Sequence, residues 1–162
     1  MTASANVKPT AVPYIRDFTT RERYLEQIPG FLNATRFGAT LLEKQLFTGS
    51  LPFEAACALN SGLEHSYDEN SRTFAVDADD WLAMVPAAAI WLLVAGKQIY
   101  EHCVSGDKSN GWGRGVFTRW KWDLWKQHLG DFTKREDFSE QVREFAAETV
   151  EKMSEIEEAH KD

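Results

Sequence analysis

The spacing of apolar residues between positions 137 and 159 restricts the possible folds of this chain more than any other feature. Phe138, Val142, Phe145, Ala146, Val150, Met153 and Ile156 follow one another in steps of three and four, apart from one adjacent pair, and glutamates fill many of the gaps. Such steps gather side chains on one face of an α-helix. A long amphipathic helix is therefore predicted from near Asp137 to about Ala159, with a stripe that must dock on other helices. Strand patterning does not compete: Arg72 to Val76 alternates weakly over five residues.

The same reading applied upstream predicts five further helices. Thr19-Thr20-Arg21-Glu22 matches a capping box, and a short helix should follow it until the Pro29-Gly30 pair stops it near Gln27. A second helix is expected from Phe31, carrying Phe31, Ala34, Leu41, Leu42 and Phe47, with Gly49 as its left-handed stop. Ser50 is placed to cap a third, with Pro52 in its first turn and Phe53, Ala56, Cys57 and Leu63 presented to the core. Residues 66–73 read as a polar loop. The Asp77, Asp79 and Asp80 cluster suits the start of a fourth helix from Trp81 to about Cys103, either begun in earnest near Val85 or kinked at Pro86. A loop at 105–115 with four glycines precedes a fifth helix, Phe117 to Leu129, closed by Gly130. The expected class is all-α, an antiparallel bundle of about five to six helices. Residues 1–18 read as a flexible arm, 19–159 as one helical domain and 160–162 as a tail.

Charge and cysteine usage bound the setting. The net charge is −7 over 162 residues, which argues against nonspecific attraction to nucleic acid or to an anionic membrane. The longest uncharged run, Trp81 to Gly96, is broken by Pro86 and falls short of the roughly 20 residues that span a bilayer. The N-terminal residues lack the apolar core of a secretory signal. Cys57 and Cys103 both lie in apolar helical runs and are expected to be reduced, shielded thiols of a cytoplasmic protein.

The second half of the chain resembles a known family. Pro86-Ala87-Ala88-Ala89 with Trp91, Ala95-Gly96, Ile99-Tyr100, the Gly-rich loop leading into Arg119-Trp120-Lys121-Trp122 and Trp125-Lys126, and the terminal helix with Ala146-Ala147 and Met153 to Ile156 are similar to small helical proteins of filamentous fungi catalogued as a domain of unknown function. The resemblance covers roughly residues 80–158. It implies an intracellular all-helical protein and carries over no reaction and no catalytic residues.

Four constellations are chemically suggestive. Glu64, His65, Asp68 and Glu69 combine carboxylates with an imidazole but lack the Glu-x-x-His pairing of metal-binding bundles, so no metal is expected. The glycines of the 105–115 loop lack phosphate-loop spacing, and no cofactor is expected. Residues 108–135 carry seven basic groups (Lys108, Arg114, Arg119, Lys121, Lys126, Lys134, Arg135) against Asp123 and Asp131. Cations interleaved with tryptophans can hold nucleic acid, yet the acidic terminal helix is a sufficient internal partner, and that reading is preferred. Six tryptophans are more than a small core readily hides. Trp81, Trp91, Tyr100, His102, Trp112, Arg119 and Trp120 are therefore the candidate ligand-binding residues. The leading expectation is an interaction or binding module for a protein partner or an apolar small molecule. An enzyme of small-molecule metabolism with an aromatic-lined cavity inside the bundle is the alternative, and a nucleic-acid binder acting through residues 108–135 is the third.

Overall fold

A computed structural model describes residues 18–46, 49–64, 81–107, 109, 111–113 and 116–161. Five α-helices and one π-helical turn account for 81% of them, and no strand occurs among the described residues, so the protein is all-α. The helices are α1 (Phe18–Glu43), α2 (Leu51–Leu59), α3 (Trp81–Ser105), α4 (Arg119–Phe132) and α5 (Glu140–Ala159), with a π-helical turn at Asn60–Glu64 directly after α2. Residues 1–17 of the expected 1–18 arm, the polar loop and the aspartate cluster lie outside the described residues, as do Phe47, His65, Asp68, Glu69, Lys108 and Arg114, while Phe18 begins α1.

Where the expected boundaries fail, tertiary packing overrides a local signal. Pro29 and Gly30 do not stop a helix; α1 runs through both as one 26-residue rod. The pair sits on an exposed flank, while Leu25, Ile28 and Leu32 carry an apolar line across it to face Leu82, Pro86 and Ile90. α1 ends instead at a Schellman-type cap. Gln45 adopts φ 56°, Leu46 N–H donates to Leu41 O (2.8 Å), and Gln45 N–H donates to Leu42 O (3.0 Å). Gly49 lies beyond this stop. Ser50 precedes α2 without a side-chain capping bond, and Pro52 occupies the first turn as expected. Gly130 lies inside α4, because continuing the helix brings Phe132 onto Phe138 with ring centroids 5.0 Å apart. Thr118 and Ser139 are true caps, each accepting the backbone N–H three residues on, from Lys121 and Val142. α3 contains Pro86, but its break comes at Ala95 (φ −110°, ψ 15°).

The contacts fix the direction of each helix. Gly38 lies beside Trp91 and Gln98 Nε2 donates to Glu43 O, so α1 and α3 run parallel. Trp81 meets Phe138 while Tyr100 meets His160, so α5 is parallel to α3 as well. Gly62 abuts Met84 while Leu51 lies near Gly38 and Trp91, which sets α2 against both. Trp122 reaches Glu157 and Phe132 reaches Phe138, so α4 opposes α5. Consecutive helices are thus antiparallel, and α3 is the central rod, in contact with every other element. α3 is long and apolar enough to cross a bilayer, but 67% of its most apolar stretch is buried among its neighbours.

Two indole clamps lock the α4 side. Trp122 and Trp125 are fully buried. Trp122 Nε1 donates to Glu157 Oε1 (2.8 Å), and the same carboxylate holds Lys126 (2.6 Å). Trp125 Nε1 donates to Glu64 Oε1 (3.0 Å), which also receives Lys121. An indole N–H buried without a partner is costly, and the two carboxylates meet that need while their lysines balance the charge.

Candidate functional site

The seven candidate residues do not converge on one cavity. Trp81 is buried at the start of α3, its ring centroid 4.5 Å from that of Phe138, with the Arg135 guanidinium over the Trp81 ring. Tyr100, His102, Trp112 and Arg119 gather at the other end of α3. Arg119 Nη1 donates to Tyr100 Oη (2.8 Å), and Trp112 lies buried in a stack on His102 with centroids 3.7 Å apart. Phe117 continues the aromatic chain edge-on from Trp112 towards Trp125. Tyr100, Trp112 and Phe117 are buried in this cluster. Trp120, a candidate ligand-binding residue, is 67% exposed and lines none of the grooves described below. Helical phase explains its exposure: Trp122, Trp125 and Leu129 define the buried face, and Trp120 lies off it.

The basic stretch is largely neutralised within the chain. Among its described cations, Arg119 pairs with Asp123, Lys121 with Glu64, Lys126 with Glu157 and Arg135 with Asp137. Partial burial raises the Glu64 and Glu157 pKa values, but hydrogen bonds from lysine and indole outweigh it and hold both below the usual 4.5. Glu64 thus serves a clamp. No group of three metal-ligating side chains occurs among the described residues.

Trp91, itself buried with 4% exposure, is the candidate that borders the groove between α1 and α2. It lies with Met84 at the base of this groove, which measures about 370 Å³. The α1 wall is Phe31, Ala34, Thr35 and Gly38; the α2 wall is Leu51, Glu54, Cys57 and Ala58, with Ser61 at the end. Small residues make the opening: any side chain at Gly38 would meet the Trp91 ring at 3.4 Å. Phe31 is 41% exposed at the rim. Thr35 spends its hydroxyl on Phe31 O (2.9 Å). The volume falls in the range of small-molecule sites. Two further grooves flank α3 and α5, one lined by Leu25, Leu32, Pro86 and Phe145, the other by Lys97, Glu101, Lys152 and His160.

The cysteines differ from each other, contrary to the expectation that both are shielded. Cys103 is buried, and burial pushes its thiol up to about 12. Cys57 is exposed on the groove wall, because the core face of α2 is set by Pro52, Ala55 and Leu59 rather than by Phe53 and Cys57. Apart from Trp91, sequence reasoning missed the groove residues. The available signal was a row of small residues, Ala34, Gly38 and Ala58, on helices next to a large aromatic.

Comparison with known proteins finds no match among curated proteins and none among solved structures. A family model does match, over residues 7–129, which takes in α1 to most of α4 and the whole groove and stops before α5. The chain belongs to the family described as "Protein of unknown function (DUF3632)".

Proposed function

We propose that this protein is a binding module that takes an apolar small molecule into the groove between α1 and α2. The observation that carries the reading is the contrast between the two ends of the aromatic inventory. Trp112, Trp122 and Trp125 are packed shut by clamps and stacking, whereas Trp91, Met84, Phe31 and Leu51 line open volume. Apolar surface left facing a concave space is the usual basis of small-molecule affinity. The groove lies wholly inside the residues matched by the family model, so it belongs to the family's part of the chain.

The test is a fluorescence titration with the neutral apolar dye N-phenyl-1-naphthylamine. The native protein should enhance its emission saturably, and Ala34→Trp, which places a ring over the groove from an exposed α1 position, should abolish the enhancement without lowering the melting temperature. Undiminished binding by a folded Ala34→Trp variant would place the dye elsewhere and sink the reading.

A further inference from the structure

We infer that the preferred occupant of this groove is a hydrophobic cation, an alkyl- or arylammonium whose apolar body lies against Phe31 and Trp91 and whose charge meets Glu54. This rests on the reading of the groove as a ligand site and names its ligand class.

Glu54 is the only ionisable side chain other than Cys57 among the residues lining the groove. It makes no ion pair with any other described residue. The contrast with the clamp carboxylates is direct, since Glu64 and Glu157 each hold a lysine and an indole N–H. The other polar groups on the walls are small: Thr35, which donates its hydroxyl to its own helix, Ser61 and Cys57. The groove lining therefore combines one carboxylate that has no ion pair among the described residues with two aromatic side chains. Carboxylate and aromatic faces together favour an ammonium carrying apolar substituents, by charge attraction and by the ring quadrupole. The whole chain acts in the same sense, because a net charge of −7 draws cations and repels anions.

Cys57 supplies a readout inside the site. It lines the groove and is exposed, whereas Cys103 is buried with its thiol pushed up to about 12, so a thiol reagent applied to the folded protein labels Cys57 first. The experiment measures protection of Cys57 from N-ethylmaleimide by three probes of similar shape: 4-phenylbutylammonium, 4-phenylbutanol and 4-phenylbutyrate. The cation should protect at about three- to fivefold lower concentration than the neutral alcohol, the size expected of one solvent-facing ion pair. The anion should be the weakest. In Glu54→Gln the advantage of the cation over the alcohol should collapse while protection by the alcohol persists. Equal protection by cation and alcohol in the native protein, or an advantage that survives Glu54→Gln, overturns the assignment of the ligand class and leaves the groove as an apolar site. No protection by any probe overturns the groove itself as a binding site.

Discussion

At the scale of single residues, two backbone positions carry consequences out of proportion to their size. Gln45 holds φ 56° at the end of α1, a conformation that costs a side-chain-bearing residue about 1 kcal/mol and glycine little. Gln45→Gly should stabilise the protein by about 0.5–1 kcal/mol, read as a melting-temperature rise of roughly 1–4 °C. A fall would show that the Gln45 side chain contributes more than its backbone loses. Gly62 is the opposite case. A Cβ there would stand 2.4 Å from Met84 O and 2.8 Å from the Ala88 methyl, so the π-helical turn lies against α3 only because it has none. Gly62→Ala should cost about 1–3 kcal/mol by forcing the two backbones apart, and an unchanged denaturant midpoint would contradict the close approach. The same turn positions Glu64 for Trp125 and Lys121 and offers Leu63 O to His128 Nδ1.

At the scale of elements, α4 is held by ring burial and by its two carboxylate clamps. Trp125→Ala should destabilise by about 3–5 kcal/mol, because it empties a fully buried site and strips Glu64 of a donor. Trp120→Ala, one and a half turns away but 67% exposed, should stay within about 0.5 kcal/mol. Equal melting temperatures for the two variants would contradict the assigned faces. The clamps also set an acid limit. Glu64 and Glu157 have pKa values lowered from 4.5 in the folded protein, so their contribution is present above the unfolded value and is lost as pH falls through the lower folded value. Thermal melts from pH 6 to pH 2 should show stability falling below about pH 4.5, and less steeply in Glu157→Gln. Most of this architecture was legible in the sequence. The apolar steps of α5 and the tryptophan spacing of α4 identify helices without help, and the short link between them implies their antiparallel pairing. What local signals misplace are boundaries where distant contacts prevail. Pro29-Gly30 reads as a stop until Leu32 finds Ile90, and Gly130 reads as a cap until Phe132 finds Phe138. Helical phase in α2 is ambiguous because Phe53 and Cys57 outrank Ala55 and Leu59 in bulk, yet the smaller set faces α3.

At the scale of the whole molecule, alternating helix directions around α3 bring α1 and α2 together over one stretch of its surface. The groove exists because that meeting is made by small residues. Gly38 approaches Trp91 and leaves room that a leucine would have filled. Such a site is hard to read from the chain alone, since it is defined by what Ala34, Gly38 and Ala58 lack, and their opposition across two helices appears only on folding. Tryptophan count pointed to aromatic-lined space, and Trp91 does line it, but Trp81, Tyr100, His102 and Trp112 are occupied with holding helices together. Four of the six large hydrophobics left exposed among the described residues, Phe31, Phe37, Leu46 and Phe53, lie on or between α1 and α2, which sets this side of the molecule apart from the acidic face of α5. The central claim is that ligands enter between α1 and α2 rather than among the α4 tryptophans. Amide and indole NMR shifts measured while 4-phenylbutanol is titrated into the native protein test it most directly. The account predicts that the Trp91 indole and the amides of Ala34, Gly38, Leu51 and Ala58 move together and saturate, while the Trp122 and Trp125 indoles stay fixed. Saturable shifts confined to Trp112, Trp122 and Trp125, with Gly38 and Trp91 unmoved, would contradict it.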